Sequence, residues 1–242
     1  MIKAVLFDLD DTLLGNDMDK FLPNYFTLLG KHAERYLEKN RFLQELMAGT
    51  QAMIASTDTA VSNRDAFWYT FQQRTGLDPD EMEPFFEQFY RNVFPQLVAT
   101  TEKRPLAAPL VQTCLDKGLK VVVATNPLFP AIAVEERLDW AGVPVTEFDY
   151  DLVTTYENMH TTKPHPAYYH EILQMIDCAP ETAVMIGDDW KNDIIPAASI
   201  GLHTYWITAD GQQPPDETPV NGRGSLADLW QQVQKGWLEQ LT

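Results

Sequence analysis

The chain is poor in cysteine, in basic residues and in long apolar runs, and each shortage excludes something. Two cysteines in 242 residues, Cys114 and Cys178, cannot build a disulfide framework or a thiolate zinc site. They suit a reducing compartment. Lys and Arg number 18 against 35 Asp and Glu, for a formal net charge of −17. Such a surface repels nucleic-acid backbones and anionic membranes, so neither is an expected partner. No run of about 18 apolar residues occurs, and no spanning helix is expected. The N-terminal MIKAVLFDLDDTLL has three aspartates where a secretory leader keeps its apolar stretch. At 45% hydrophobic and 11% aromatic the chain can fill a core, so the expectation is a cytoplasmic globular protein. Oligomeric state cannot be read from the chain.

Four short apolar runs read as buried parallel strands: Ala4 to Phe7, Leu119 to Ala124, Ala183 to Ile186 and His203 to Ile207. A weaker one lies at Asp151 to Thr155. Helical periodicity falls between them, as in Tyr168, Tyr169, Ile172, Leu173 and Ile176. Alternating strands and helices predict an α/β fold with a parallel sheet. Residues 16–103 differ. They carry helical stripes, such as Leu22, Tyr25, Phe26, Leu29, Ala33 and Phe85, Phe86, Phe89, Tyr90, Val93, and no clear strand. Fourteen of the 27 aromatic residues lie there, enough for a small second core. The alternative is that these helices pack on the same sheet. Gln212 to Pro219 is a proline-rich loop, and Leu226 to Leu241 reads as a closing helix with Ser225 as its N-cap.

Acidic residues follow two of the strands. Asp8, Asp10 and Asp11 leave the first; alternate residues share a face, so Asp8 and Asp10 can address one site at its C-terminal end. Gly187, Asp188, Asp189 and then Asp193 leave the third. Each cluster alone could be a capping loop. Two of them at the ends of parallel strands predict a site for a hard divalent cation, magnesium by default. Thr125 and Asn126 end the second strand and could bond a phosphoryl oxygen, although an ordinary turn uses such residues too. Lys163 sits between Thr162 and Pro164 in a loop where a lone lysine is ordinarily a surface charge.

These motifs, DLDDT at Asp8 to Thr12, Thr125 with Asn126, Lys163 before a proline and GDDWKND at Gly187 to Asp193, resemble the four motifs of the haloacid dehalogenase-like hydrolase superfamily, in the same order. The resemblance implies a Rossmann-like parallel sheet core, residues 1–15 and 104–242, with an inserted helical cap, residues 16–103. It implies Asp8 as nucleophile and Asp10 as general acid and base. Asp8, Asp188 and the Asp10 carbonyl would ligate Mg2+, with Asp193 supporting the metal's waters or holding Lys163. Thr125, Asn126 and Lys163 would bind the phosphoryl group, and Asp189 would stand in the metal's outer shell. The dehalogenase branch lacks an aspartate two positions after its nucleophile. Asp10 occupies that position and so points to phosphoryl chemistry.

The implied activity is a magnesium-dependent phosphatase acting on a small phosphorylated metabolite through an aspartyl-phosphate. A phosphosugar mutase uses the same motifs and is the second reading. It would need cap cations for a second phosphate, such as Lys20, His32, Arg35, Arg64 or Arg74. A non-catalytic phosphate-binding protein is the third. Phe67, Trp68 and Phe71 could line a substrate pocket. His160, His165 and His170 recur every fifth residue but flank prolines, and a zinc site there is not expected. Gly222-Arg223-Gly224 follows no apolar strand directly and is not expected to bind a nucleotide.

Overall fold

The computed structural model describes residues 1–209 and 211–241. The strands are β1 (Ala4–Phe7), β2 (Leu14–Gly15), β3 (Glu102–Lys103), β4 (Lys120–Val123), β5 (Leu152–Val153), β6 (Ala183–Gly187), β7 (His203–Ile207) and β8 (Gly222–Gly224). Six of them form one parallel sheet in the order β5-β4-β1-β6-β7-β8. Every predicted strand is present, with β4 and β5 shorter than expected. The edge strand β8 went unpredicted because Gly-Arg-Gly carries no apolar signal.

The alternation of strand side chains divides the sheet's core in two. Val5, Phe7, Val121, Val123, Val184 and Ile186 face one side. Ala4, Leu6, Val122, Ala183 and Met185 face the other. Helices α5 (Ala107–Asp116), α6 (Ala131–Ala141) and α9 (Leu226–Gln234) supply apolar residues to the first side. Helix α7 (Pro166–Met175) and the short α8 (Ile195–Ser199) cover the second. The expected single closing helix is two, α9 and α10 (Trp237–Gln240). Gly236 between them adopts a φ of 84°, which glycine takes without a Cβ penalty and which ends the α-helical run. Ser225 caps α9, with Asp228 completing a capping box.

Between β2 and β3 lie α1 (Met18–Ala33), α2 (Lys39–Ala55), α3 (Asn63–Thr75) and α4 (Pro79–Asn92). Asp17, Glu38, Ser62 and Asp78 cap them in turn. Their stripes meet in an apolar cluster built around Phe21, Tyr25, Phe42, Phe71, Phe86 and Phe89, which Ala133 of α6 also joins. The antiparallel pairing of β2 with β3 brings the two ends of the helical segment together. A third attachment comes from the start of α3. The backbone N–H groups of Asn63 and Arg64 donate to Met159 and Tyr156 carbonyls, both at 2.8 Å. The Asn63 side chain donates to the Pro127 and Thr161 carbonyls at 3.3 and 3.2 Å. The segment is thereby fastened over the loops that follow β4 and β5. Among the described residues no helix is long and apolar enough to cross a membrane.

Candidate active site

Parallel pairing assembles the site. β1 lies between β4 and β6, with Phe7 opposite both Val123 and Ile186. The residues leaving these strands therefore emerge side by side. Asp8 is fixed by its N–H donating to the Ile186 carbonyl at 2.9 Å. The Thr125 carbonyl accepts from the Thr154 and Tyr168 hydroxyls at 2.8 and 2.7 Å. The Asp188 carbonyl accepts from the Trp206 indole at 2.8 Å. The loop after β1 is clasped as well. Asp11 has a φ of 54°, which aspartate tolerates. Its carboxylate accepts from the Asn16 N–H and from Arg104, which also donates to the Thr12 carbonyl.

Lys163 reaches this point from the loop before α7 and is fully enclosed, at 3% exposure. Its ammonium donates to Asp8 Oδ1 at 2.7 Å and to Asp193 Oδ1 at 2.6 Å. The solvated surface charge that a lone lysine ordinarily makes is not what the fold builds. Asn126 Oδ1 accepts from the Lys163 backbone N–H at 3.3 Å and ties the two loops together. Burial alone would lower the Lys163 pKa. The charges of Asp193 and Asp8 outweigh it and hold the group well above its usual value.

Carboxylate oxygens of Asp8, Asp188 and Asp193 lie within 4.8 Å of one another, the one such grouping of metal-type ligands among the described residues. An all-oxygen donor set suits a hard divalent cation. Burial pushes all three pKa values up. For Asp188 burial, then the charges of Asp193, Asp11 and Asp189, raise it to about 7. Asp8 is raised well above the carboxylate range by burial against the pull of Lys163, and Asp193 is raised by burial despite Lys163. Their hydrogen bonding differs. Asp193 spends one oxygen on Lys163 and the other on the Asp189 N–H at 3.1 Å. Asp8 Oδ2 receives no hydrogen bond from the described residues, and Asp188 receives only a 3.4 Å contact from Thr12. Gly187 is required here because a Cβ would sit 2.2 Å from Asp193 Oδ2.

These groups line a cavity of about 230 Å³, with Thr125 and Asn126 on its wall. Asp10 borders it too, but its carboxylate lies outside the three-carboxylate cluster. Asn16 Nδ2 donates to Asp10 Oδ1 at 2.7 Å, and the Arg137 guanidinium donates to Asp10 Oδ2. Arg137, on α6, escaped the sequence reading. It is 1% exposed, lies 4.7 Å over the Phe129 ring and also donates to the Ala133 carbonyl. The available signal was its place among Val134, Leu138 and Ala141, the buried face of α6.

Several expectations fall elsewhere. Asp189 caps the π-helical turn Trp190–Ile194, and both its oxygens are taken by Lys191 and Asn192. It caps that turn at the edge of the acidic cavity, which it also lines. Lys20 pairs with Asp17, Arg64 with Glu83, and Arg74 with Glu45. Arg35 stacks on Phe85, as does the His32 ring. None of the five lines the acidic cavity. His160 bonds Glu171 and His165 bonds the Ile54 carbonyl, so the histidines do not converge. Phe67 and Trp68 line a second cavity next to the acidic one, while Phe71 is packed in the helical core.

Residues 2–201 match the family model of the haloacid dehalogenase-like hydrolases. The chain belongs to that family. Haloacid dehalogenase-like hydrolase domain-containing protein 3 of Bos taurus is 28% identical over 154 residues, 63% of this chain. The match spans 57% of that relative, little more than half its length. Pyrophosphatase PpaX of Bacillus mycoides (strain KBAB4) is 23% identical over 209 residues, 86% of this chain and 84% of that one. Among solved structures, an HAD phosphatase from Thermococcus onnurineus has a TM-score of 0.58 at 21% identity, covering 96% of this chain and 98% of that one. That likeness is one of fold.

Proposed function

We propose that the chain is a magnesium-dependent phosphatase that hydrolyses a small phosphorylated metabolite through an aspartyl-phosphate on Asp8. The observation that carries the reading is Lys163, buried between Asp8 and Asp193 and beside Asp188. A buried lysine with two carboxylate partners is a costly arrangement that a purely structural role rarely needs. Residues 16–103 act in this reading as a cap over a core of residues 1–15 and 104–242.

Asp8 attacks phosphorus with the oxygen that Lys163 leaves free, and the P–O bond to the alcohol breaks. Asp10 gives its proton to the departing oxygen and later takes one from the water that cleaves the acyl phosphate. Thr125 and Asn126, on the cavity wall, hold phosphoryl oxygens, and Lys163 offsets charge on Asp8 and the phosphoryl group. Asp8 and Asp188 are the residues to hold magnesium directly, with the Asp10 carbonyl; Asp193, with both oxygens committed, acts by holding Lys163. When bound, magnesium would neutralise the clustered carboxylates and orient the phosphoryl group for in-line attack. The mutase reading finds less support, because none of the five cap cations borders the acidic cavity. The deciding experiment is phosphate release from a panel of monoesters with magnesium and with EDTA. Turnover that needs magnesium is expected, and no release from any ester would remove the proposal.

The carboxylate cluster gives this reading a pH signature. Asp188 has its folded pKa raised to about 7. A raised carboxyl pKa favours the protonated form in the fold. Its stability contribution is therefore full below the unfolded value near 3.9 and is lost as pH climbs through about 7. Asp8 and Asp193 shift in the same direction. Magnesium needs the ionised carboxylates and should rescue the protein where they are ionised. With magnesium at roughly 100 times its Kd at pH 8, the Tm should rise by about 5 °C or more at that pH. At pH 5.5 the gain should fall below about 2 °C. A magnesium-induced shift that is flat across this range would contradict the assignment.

A further inference from the structure

The acidic cavity opens beside a second one of about 280 Å³, and the two share Met18, Leu128 and Phe129 as common wall. The second cavity is bounded by Phe26 of α1, Leu46 and Met47 of α2, Phe67 and Trp68 of α3, and Phe86 of α4. Among the described residues no charged side chain lines it. Several of its polar atoms are already committed, and the Trp68 indole N–H is the one buried donor of this wall left without a partner among the described residues. The Tyr25 and Tyr90 hydroxyls bond each other at 2.9 Å, and the Thr50 hydroxyl donates to the Leu46 carbonyl at 3.0 Å. A phosphate ester seated over Asp8 has its alcohol portion pointing along this shared wall or into solvent.

We infer that this cavity receives the alcohol portion of the substrate and that this portion is apolar, an alkyl or aromatic group rather than a sugar. The inference rests on the phosphatase reading and names its substrate class. Polyhydroxylated groups lose water hydrogen bonds on entry and find few partners, and each unpartnered hydroxyl costs roughly tenfold in binding. A methylene group gains about fourfold when it leaves water. An apolar cavity of about 150 Å³ takes benzene, so this one admits a bicyclic aromatic or a chain of roughly eight carbons. A second phosphate has no cation to meet there.

The test is kcat/KM for straight-chain alkyl phosphates from propyl to octyl, with glucose 6-phosphate and glycerol 3-phosphate as polar comparators. All are esters of weakly acidic alcohols, so binding dominates the differences. The expected rise is about fourfold per methylene, at least about 100-fold from propyl to octyl. Glucose 6-phosphate should do no better than the propyl ester. Met47 is 42% exposed on α2, so Met47→Glu changes the cavity wall at a position that tolerates charge. It should at least halve the slope of log kcat/KM against chain length while the Tm stays within about 2 °C. A flat chain-length series, a preference for the sugar phosphate, or an unchanged slope in Met47→Glu would overturn the inference. Absence of turnover on every ester would instead remove the phosphatase reading. Calorimetry with propyl- to octylphosphonate in magnesium, which have no ester to cleave, then reads the same chain-length slope from binding alone.

Discussion

Replacing Asp8 by Asn is expected to lower phosphate release by at least about 10⁴-fold while leaving the fold intact. An amide cannot form the acyl phosphate, and no second carboxylate is placed to take over. Asp188 is the residue proposed to hold magnesium with Asp8, and Asp193 has both oxygens engaged. Lys163 keeps Asp193 as a partner in the variant. Burial raises the Asp8 pKa against the attraction of Lys163, so the ionised form is disfavoured in the fold. A neutral isostere removes that cost. Without metal at pH 8 the variant should melt no lower than the parent chain, and any advantage should disappear as pH falls. Full hydrolysis in Asp8→Asn would refute the nucleophile assignment. Lost activity with a collapsed Tm would show that Asp8 matters for folding instead.

The residues that the sequence reading found share one property: they directly follow strands or lie within a few residues of a strand end. Asp8, Thr125 and Asp188 sit where buried apolar runs stop, and a carboxylate or hydroxyl in such a place is conspicuous. The parallel order of the sheet then does the rest, since β4 and β6 flank β1. Lys163 was visible only through the resemblance, because nothing in its loop announces that the side chain turns inward. Asp189 neighbours Asp188 and lines the same cavity, but its carboxylate is turned to the backbone. Successive residues after a strand point different ways, and its oxygens cap the following turn.

The fold was legible in the same uneven way. Continuous apolar runs gave the four main strands, and apolar stripes at helical spacing gave α1 and α4 of the four long helices of the insertion. Short elements escaped: β2, β3 and β8 are two or three residues each and depend on their neighbours for every hydrogen bond. The cation candidates in the insertion were read from residue type alone, and each lies against an acidic or aromatic neighbour. Of the apolar cavity's wall only Phe67 and Trp68 were singled out as pocket residues, because the wall draws on four helices and the loops after β4 and β5.

Arg137→Met should lower kcat for alkyl phosphates by about 10² to 10³, through Asp10. In the sequence the residue directly follows two glutamates, Glu135 and Glu136. The fold buries it, because α6 follows β4 and its inner face meets the loop that leaves β1. The guanidinium holds Asp10 Oδ2 while Asn16 holds Oδ1, so the carboxyl has one orientation at the cavity edge. Arg137 is therefore a positioning residue. Methionine keeps the length and loses the hydrogen bonds, which leaves Asp10 free to rotate about its remaining contact. Removing one partner of a buried ion pair costs about 3–5 kcal/mol, and the low end applies because Asp10 borders a cavity that water can enter. A merely structural role would reduce activity equally on every ester. Loss of a positioned proton donor falls hardest on poor leaving groups. Alkyl alkoxides need the proton and nitrophenolate does not, so p-nitrophenyl phosphate should lose less than about tenfold, measured well below the variant's Tm. Equal losses on both esters would make Arg137 a packing residue and separate it from the chemistry of Asp10.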